Sequence, residues 1–147
     1  MHTSHSQKRL QEFIKSAANP LIVILGSTAS GKTDFSIELA ELLGNAEIIN
    51  ADSRQLYKFL DIGTAKITSE EMRGVPHHLL DVLDPKEEAT AAWYKKEAEK
   101  VIAEIHSRKK IPMLVGGSML YISAVIDGLE FVEASDPSFR KNLEAEY

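Results

Sequence analysis

Apolar residues along this chain keep two rhythms. Short runs dominated by apolar residues stand at 21–25, 46–50 and 112–115. Between them lie longer stretches in which apolar residues return every three or four positions. The first run, Leu21 to Leu25, has the pattern of a strand covered on both faces, and Gly26 ends it. Phe35, Leu39, Leu42 and Leu43 then mark one face of a helix, which Gly44 is placed to cap. Residues 46–50 read as a second buried strand. Residues 61–76 read as loop, punctuated by Gly63, Gly74 and Pro76, and 79–83 as a weaker candidate strand. Tyr94, Ala98, Val101, Ile102 and Ile105 line one face of a long helix whose other face is Lys and Glu. A strand at 112–115 closes on Gly116 and Gly117, and a helix follows over 119–126. Ahead of all this, Leu10, Phe13 and Ile14 place a short amphipathic helix in a tail covering 1–19. Near the other end, Asp136 and Pro137 open one more helix.

Strand and helix in alternation predict an α/β fold on a parallel sheet, with residues 20–147 as one domain. A chain of 147 residues is long enough to bury a core. There is no cysteine, which excludes disulfides and thiolate metal sites and fits a reducing compartment. The start of the chain lacks the apolar core of a signal peptide, and no run approaches a membrane span, so the expected location is the cytoplasm. Acidic residues outnumber basic ones by 22 to 17, a net charge of −5, which argues mildly against a nucleic-acid partner.

The strongest chemical signal is the segment Gly26, Ser27, Thr28, Ala29, Ser30, Gly31, Lys32, Thr33, a complete G-x-x-x-x-G-K-[ST] pattern between a strand and a helix. The glycines let successive N–H groups converge on phosphate oxygens, and the following helix adds its positive end. Lys32 supplies a mobile charge, and the Thr33 hydroxyl is placed to hold Mg²⁺ on a bound di- or triphosphate. Taken alone, this loop suits an ATP- or GTP-binding protein.

Further blocks narrow the field. After the second strand come Asp52, Ser53, Arg54, Gln55, Leu56, Tyr57 and Lys58, then D-I-G-T-A-K from Asp61 to Lys66. Pro76, His77, His78, Leu79, Leu80 and Asp81 follow. The last block is I-P-M-L-V-G-G-S-M-L-Y, from Ile111 through Ser118 to Tyr121. In order and spacing these blocks resemble those of the tRNA dimethylallyltransferases, a family of P-loop prenyltransferases. The resemblance runs from Leu21 to Arg140, and it implies a P-loop NTPase-like three-layer fold.

It also implies that residues 26–33 hold the diphosphate of dimethylallyl diphosphate with Mg²⁺, that Thr33 belongs to the catalytic set, and that Asp52 takes the proton of an adenosine exocyclic amine. Ser53, Arg54, Gln55 and Ser118 match tRNA-contacting positions, as does Asp52 itself. Ser118 stands where Thr is more common, and Ser27 where Pro is common. The implied partner is the anticodon stem-loop of tRNA, and the implied full-length form is a monomer. Members of the family extend past the position of Tyr147, with a helical domain that grips the anticodon arm, a further core strand and a channel arginine. A chain without that strand is expected to leave a sheet edge unpaired and open to association. Three alternatives stay open: a small-molecule P-loop kinase, a prenyltransferase of free adenine nucleotides, and a diphosphate-binding fragment without turnover.

Other features have plain readings. His77 and His78 point to opposite sides of an extended segment and lack a third clustered ligand, so they are not expected to bind metal. Asp52 also suits the N-cap of a short helix following it. Trp93 reads as core, and Arg108, Lys109 and Lys110 as a solvated helix end.

Overall fold

The computed structural model describes residues 5–131. The helix expected from Asp136 and Pro137 lies outside the described residues. Helix α1 (His5–Ser16) leads into strand β1 (Ile22–Leu25), helix α2 (Lys32–Leu43) and strand β2 (Ala46–Asn50). Strand β3 (His77–His78), helix α3 (Ala91–Ser107), strand β4 (Ile111–Gly116) and helix α4 (Met119–Ile126) complete the order. The strands pair only in parallel, in the order β1-β4-β2-β3.

Alternation along β2 and β4 divides the core between the two faces of the sheet. Ile48, Met113 and Val115 meet Ile37 and Ala40 of α2 on one face. Ile49 and Leu114 meet Tyr94, Ala98 and Ile105 of α3 and Ile122 of α4 on the other. The result is three layers, helix, sheet and helices, as the family resemblance implies. α3 begins as an N-capped helix should, with the Thr90 side chain accepting from Trp93 N–H. α2 ends at Gly44, whose φ of 72° is the left-handed conformation that a C-cap glycine supplies.

Three expectations need correction. β1 is not covered on both faces: its burial alternates, with Ile22 and Ile24 packed against the core and Val23 and Leu25 exposed, and among the described residues it pairs only with β4. α2 does not bury the face marked by Phe35 and Leu42. Its fully buried residues are Ser36, Ile37 and Ala40, while Leu39 and Leu43 are only partly covered. Small side chains let the helix axis approach the sheet, and Ser36 is tolerated there because its hydroxyl donates to Thr33 O at 2.7 Å. Phe35, Leu39, Leu42 and Leu43 face α1 instead and, with Leu10, line an apolar cavity of about 540 Å³. The candidate strand at 79–83 is displaced to His77–His78, which pairs with Ile48 and Ile49. Beyond it only Leu83 makes a bridge, to Tyr57.

At the N-terminal end of the sheet, Glu47 is 3% exposed and gathers two cations and a histidine. Lys110 Nζ and Arg108 Nη2 each donate at 2.7 Å, and His78 Nε2 lies at 2.7 Å. Burial alone would raise the Glu47 pKa. The hydrogen bonds from Lys110 and His78 and the charges of Arg108 and Lys110 outweigh that and bring it to about 2. The basic run at 108–110 is therefore not simply a solvated helix end, since two of its members hold this carboxylate.

Candidate diphosphate and acceptor site

In a parallel sheet all strands end on one side, and here three of those ends converge. The register pairs Leu25 with Gly116 and Asn50 with Val115, so the residues that follow β1, β2 and β4 emerge side by side. A cavity of about 350 Å³ opens at this edge. Its lining joins residues 28–34 to Asp52, Gln55, Thr64, Ala65, Gly116 and Gly117.

The loop after β1 has the backbone its sequence calls for. Gly31 sits at φ 81° as the residue before α2, and Ala29 also takes a positive φ, 60°. No side chain caps the N-terminus of α2, so its first N–H groups remain directed at the cavity for an anion to accept. Lys32 Nζ reaches back to Ser27 O across the loop. Thr33, Asp34 and Asp52 line the cavity, and oxygen is the only donor atom their side chains carry, the chemistry that Mg²⁺ prefers. Among the described residues no cluster of three or more His, Cys, Asp or Glu side chains is able to cage a metal. The residues present therefore fit a cation held jointly by Thr33 and a bound diphosphate.

Asp52 follows β2 through a tight turn. Its Oδ1 accepts from Arg54 N–H at 2.8 Å and from Gln55 N–H at 3.3 Å, so it caps a turn, and the short helix it was expected to open does not form there. Oδ2 has no such duty. The turn is held from below by Asn50, a residue that the reading of the sequence passed over. Its Oδ1 accepts from Asp52 N–H at 3.0 Å, and its Nδ2 donates to Asp52 O at 3.1 Å and Leu79 O at 3.0 Å. Tyr94 Oη donates to Asn50 O at 2.8 Å, and the Tyr94 ring stacks on Tyr121 with centroids 4.3 Å apart. Burial pushes the Tyr94 phenol far up, so it remains a hydrogen-bond donor at all ordinary pH.

The other expected site residues are brought to the same place. Ser53 N–H donates to Ser118 Oγ at 3.0 Å, so the Ser118 hydroxyl secures the Asp52 turn. Gln55 lines the cavity, and its Nε2 donates to Thr64 O at 3.0 Å. Arg54 is exposed beside the turn. Gly116 is required by proximity: a Cβ there would lie 2.3 Å from the carbonyl carbon and oxygen of Ala51. Neither Trp93 nor the histidine pair joins the site. Trp93 packs against the core, and His78 is bound to Glu47.

Comparison with known proteins identifies the family. Residues 55–147 match the family model described as IPP transferase. The chain is 54% identical over 128 residues to a tRNA dimethylallyltransferase of Macrococcus caseolyticus, covering 87% of this chain and 40% of that protein. A Bacillus subtilis protein of the same name is 52% identical over 126 residues, with 85% and 40% covered. Among solved structures, a full-length tRNA isopentenylpyrophosphate transferase from Bacillus halodurans superposes with a TM-score of 0.75 at 47% identity, over 87% of this chain and 42% of that one. A eukaryotic dimethylallyltransferase acting on tRNA gives 0.69 at 31% identity, over 86% and 35%. The chain thus spans about 40% of the length of the curated relatives it matches. On the family match and these relatives together, the chain belongs to the IPP transferase family.

Proposed function

We propose that this chain carries the donor-binding and proton-accepting part of a tRNA dimethylallyltransferase working on tRNA in the cytoplasm, as a monomer in its full-length form. One observation carries the reading: a single cavity is lined by both the phosphate loop and the Asp52 carboxylate. A kinase-like use of the loop also employs a carboxylate there, as a base or through Mg²⁺, so the transfer experiment below decides between the two.

In this reading, N–H groups of residues 26–33 and the Lys32 ammonium hold the diphosphate of dimethylallyl diphosphate. Mg²⁺, when bound through Thr33, neutralises charge on that diphosphate. Asp52 Oδ2 accepts a hydrogen bond from the exocyclic amine of the adenosine next to the anticodon. The amine nitrogen forms a bond to the allylic carbon as the carbon–oxygen bond to the diphosphate breaks. The electron pair of that bond leaves with the diphosphate, where the loop stabilises it. The amine proton passes to Asp52. Arg54 and Ser53 flank the carboxylate on the tRNA side, where Arg54 suits a backbone phosphate.

The test is transfer of radiolabel from dimethylallyl diphosphate, with Mg²⁺, to unmodified tRNA, for this chain and its Asp52→Ala variant. Label in tRNA with the parent and none with the variant is the expected result. Label reaching free AMP but not tRNA would reassign the acceptor. ATP-dependent phosphorylation with no prenyl transfer would overturn the reading.

A further inference from the structure

Lys66 is the most deeply buried lysine ammonium for which ion pairs are seen among the described residues: its side chain is 5% exposed, against 66% and 51% for its partners Asp61 and Asp81. Nζ donates to Tyr57 O at 2.7 Å, to Asp61 Oδ1 at 2.8 Å, and to Asp81 Oδ1. An ammonium has three N–H donors, and all three are used. Burial opposes its charge, yet the hydrogen bonds and attraction of Asp61 and Asp81 outweigh that and hold its pKa above the ordinary value. Lys66 therefore has no donor left for a substrate phosphate.

What it does have is leverage. Its three partners lie on three segments: the end of the Asp52 turn, the following loop, and the stretch after β3. The two residues before it, Thr64 and Ala65, form the cavity wall on the side of Asp52. Their carbonyls receive Gln55 Nε2 at 3.0 and 3.5 Å. Backbone bonds from Lys66 N to Asp61 O and from Ala65 N to Ile62 O are long, 3.3 and 3.5 Å, so the loop's own ladder is weak. Its crest is unsupported by packing, with Ile62 fully exposed and Phe59 largely so. The backbone also holds positive φ at Phe59 and Ala65, 65° and 47°. A loop of this kind stays in place because something pins it, and the Lys66 ammonium is the pin. The phosphate loop on the opposite wall is built on β1 and α2 and makes no hydrogen bond to residues 57–66 among the described residues.

We propose that Lys66 is a positioning residue for the acceptor side of the site, fixing the Thr64–Ala65 wall and through it the Gln55 carboxamide beside Asp52. This rests on the reading of Asp52 as the residue that meets the adenosine amine. It separates the two halves of the cavity: loss of Lys66 damages acceptor binding and leaves diphosphate binding intact.

The experiment compares the parent chain with Lys66→Met and Lys66→Arg, isotopically labelled for NMR. Pyrophosphate with Mg²⁺ is titrated by calorimetry. Adenosine is then titrated into the pyrophosphate-loaded chain while the Gln55 side-chain amide signals are followed. In the parent, adenosine shifts those signals. In Lys66→Met, adenosine binding weakens by about 10- to 100-fold, the scale expected when a site is misplaced by an ångström. Pyrophosphate affinity remains as in the parent, and Lys66→Arg recovers part of the loss. An adenosine response in Lys66→Met equal to the parent's would overturn the positioning role alone. A parallel loss of pyrophosphate affinity would overturn it too, because Lys66 would then be a general support. A parent that ignores adenosine would remove both this inference and the reading of Asp52 beneath it. Asp81→Asn serves as a second variant: it breaks one arm at a half-exposed carboxylate and tests the same split if Lys66→Met fails to fold.

Discussion

Ser118 Oγ accepts a 3.0 Å hydrogen bond from the backbone N–H of Ser53, 65 positions earlier in the chain. The bond ties the start of α4 to the turn that carries Asp52. A second tie lies beside it, from Ser118 N–H to Ala51 O at 3.1 Å. Ser118→Ala removes the first tie and keeps the second. It is expected to cost about 1 kcal/mol in urea unfolding, the usual worth of one such bond. Ser118→Thr keeps the hydroxyl and is expected to match the parent. An alanine variant as stable as the parent would show that the turn holds itself.

Removal of the Thr33 hydroxyl separates two kinds of phosphate binding. Thr33→Ala leaves the loop N–H groups and Lys32 in place but withdraws the oxygen offered to Mg²⁺. Pyrophosphate affinity without Mg²⁺ is expected to stay unchanged, and the gain on adding Mg²⁺ to shrink about tenfold. Calorimetry with and without the metal measures both, and an undiminished Mg²⁺ effect would free Thr33 from that role.

Glu47 sets the acid limit of the fold. Its pKa is lowered to about 2 in the folded chain from an ordinary 4.5. A depressed carboxylate contributes stability that is complete above the unfolded value and is lost as pH falls. The parent should therefore lose stability between about pH 4.5 and 2, and Glu47→Gln should lose less over that window. At neutral pH the same variant is expected to cost about 3 kcal/mol, the lower end for breaking a buried pair, because Arg108 and Lys110 are partly exposed and can turn to water. Denaturant unfolding across the pH range checks both; equal acid slopes in parent and variant would contradict the assignment.

Phe59 offers a gain. It is 80% exposed and holds φ at 65°, a conformation that costs a side-chain-bearing residue about 1–2 kcal/mol and glycine nothing. Glycine adds freedom to the unfolded chain, which returns about 0.4–1 kcal/mol of that. Phe59→Gly is expected to raise the urea midpoint with an unchanged slope, a net gain of about 0.5–1 kcal/mol on those two figures. A lowered midpoint would mean that the ring makes contacts worth more than the strain.

Legibility in the sequence followed the range of the interaction. The phosphate loop, the Gly44 cap, β2, β4 and the buried face of α3 depend on local pattern, and all could be read directly. The inner face of α2 could not, because the helix is apolar on two sides and only the sheet decides which residues approach it. β3 is two residues long and exists because β2 offers a free edge, so no local run announces it. The residues that hold the site were the least visible. Asn50 ends a buried strand and Lys66 ends the hexapeptide block that begins at Asp61, but their partners lie at Leu79 and Asp81. A buried polar residue at a strand end, next to a candidate carboxylate, is the signal that points to Asn50.

One consequence follows from the placement of Glu47 at the start of β2. Asp52 lies just past the other end of that strand, five residues on, and an extended chain spans roughly 16 Å over that length. The Glu47 charge is met where it stands by Arg108 and Lys110. The cluster keeps one net positive charge, and a separation of roughly 16 Å is about two screening lengths at physiological salt, so little of its field reaches the carboxylate at the opposite end. The strand insulates as well as supports. Substitutions at its foot are free to shift the acid tolerance of the protein without retuning the acceptor chemistry at its head, so the two traits can drift apart among relatives.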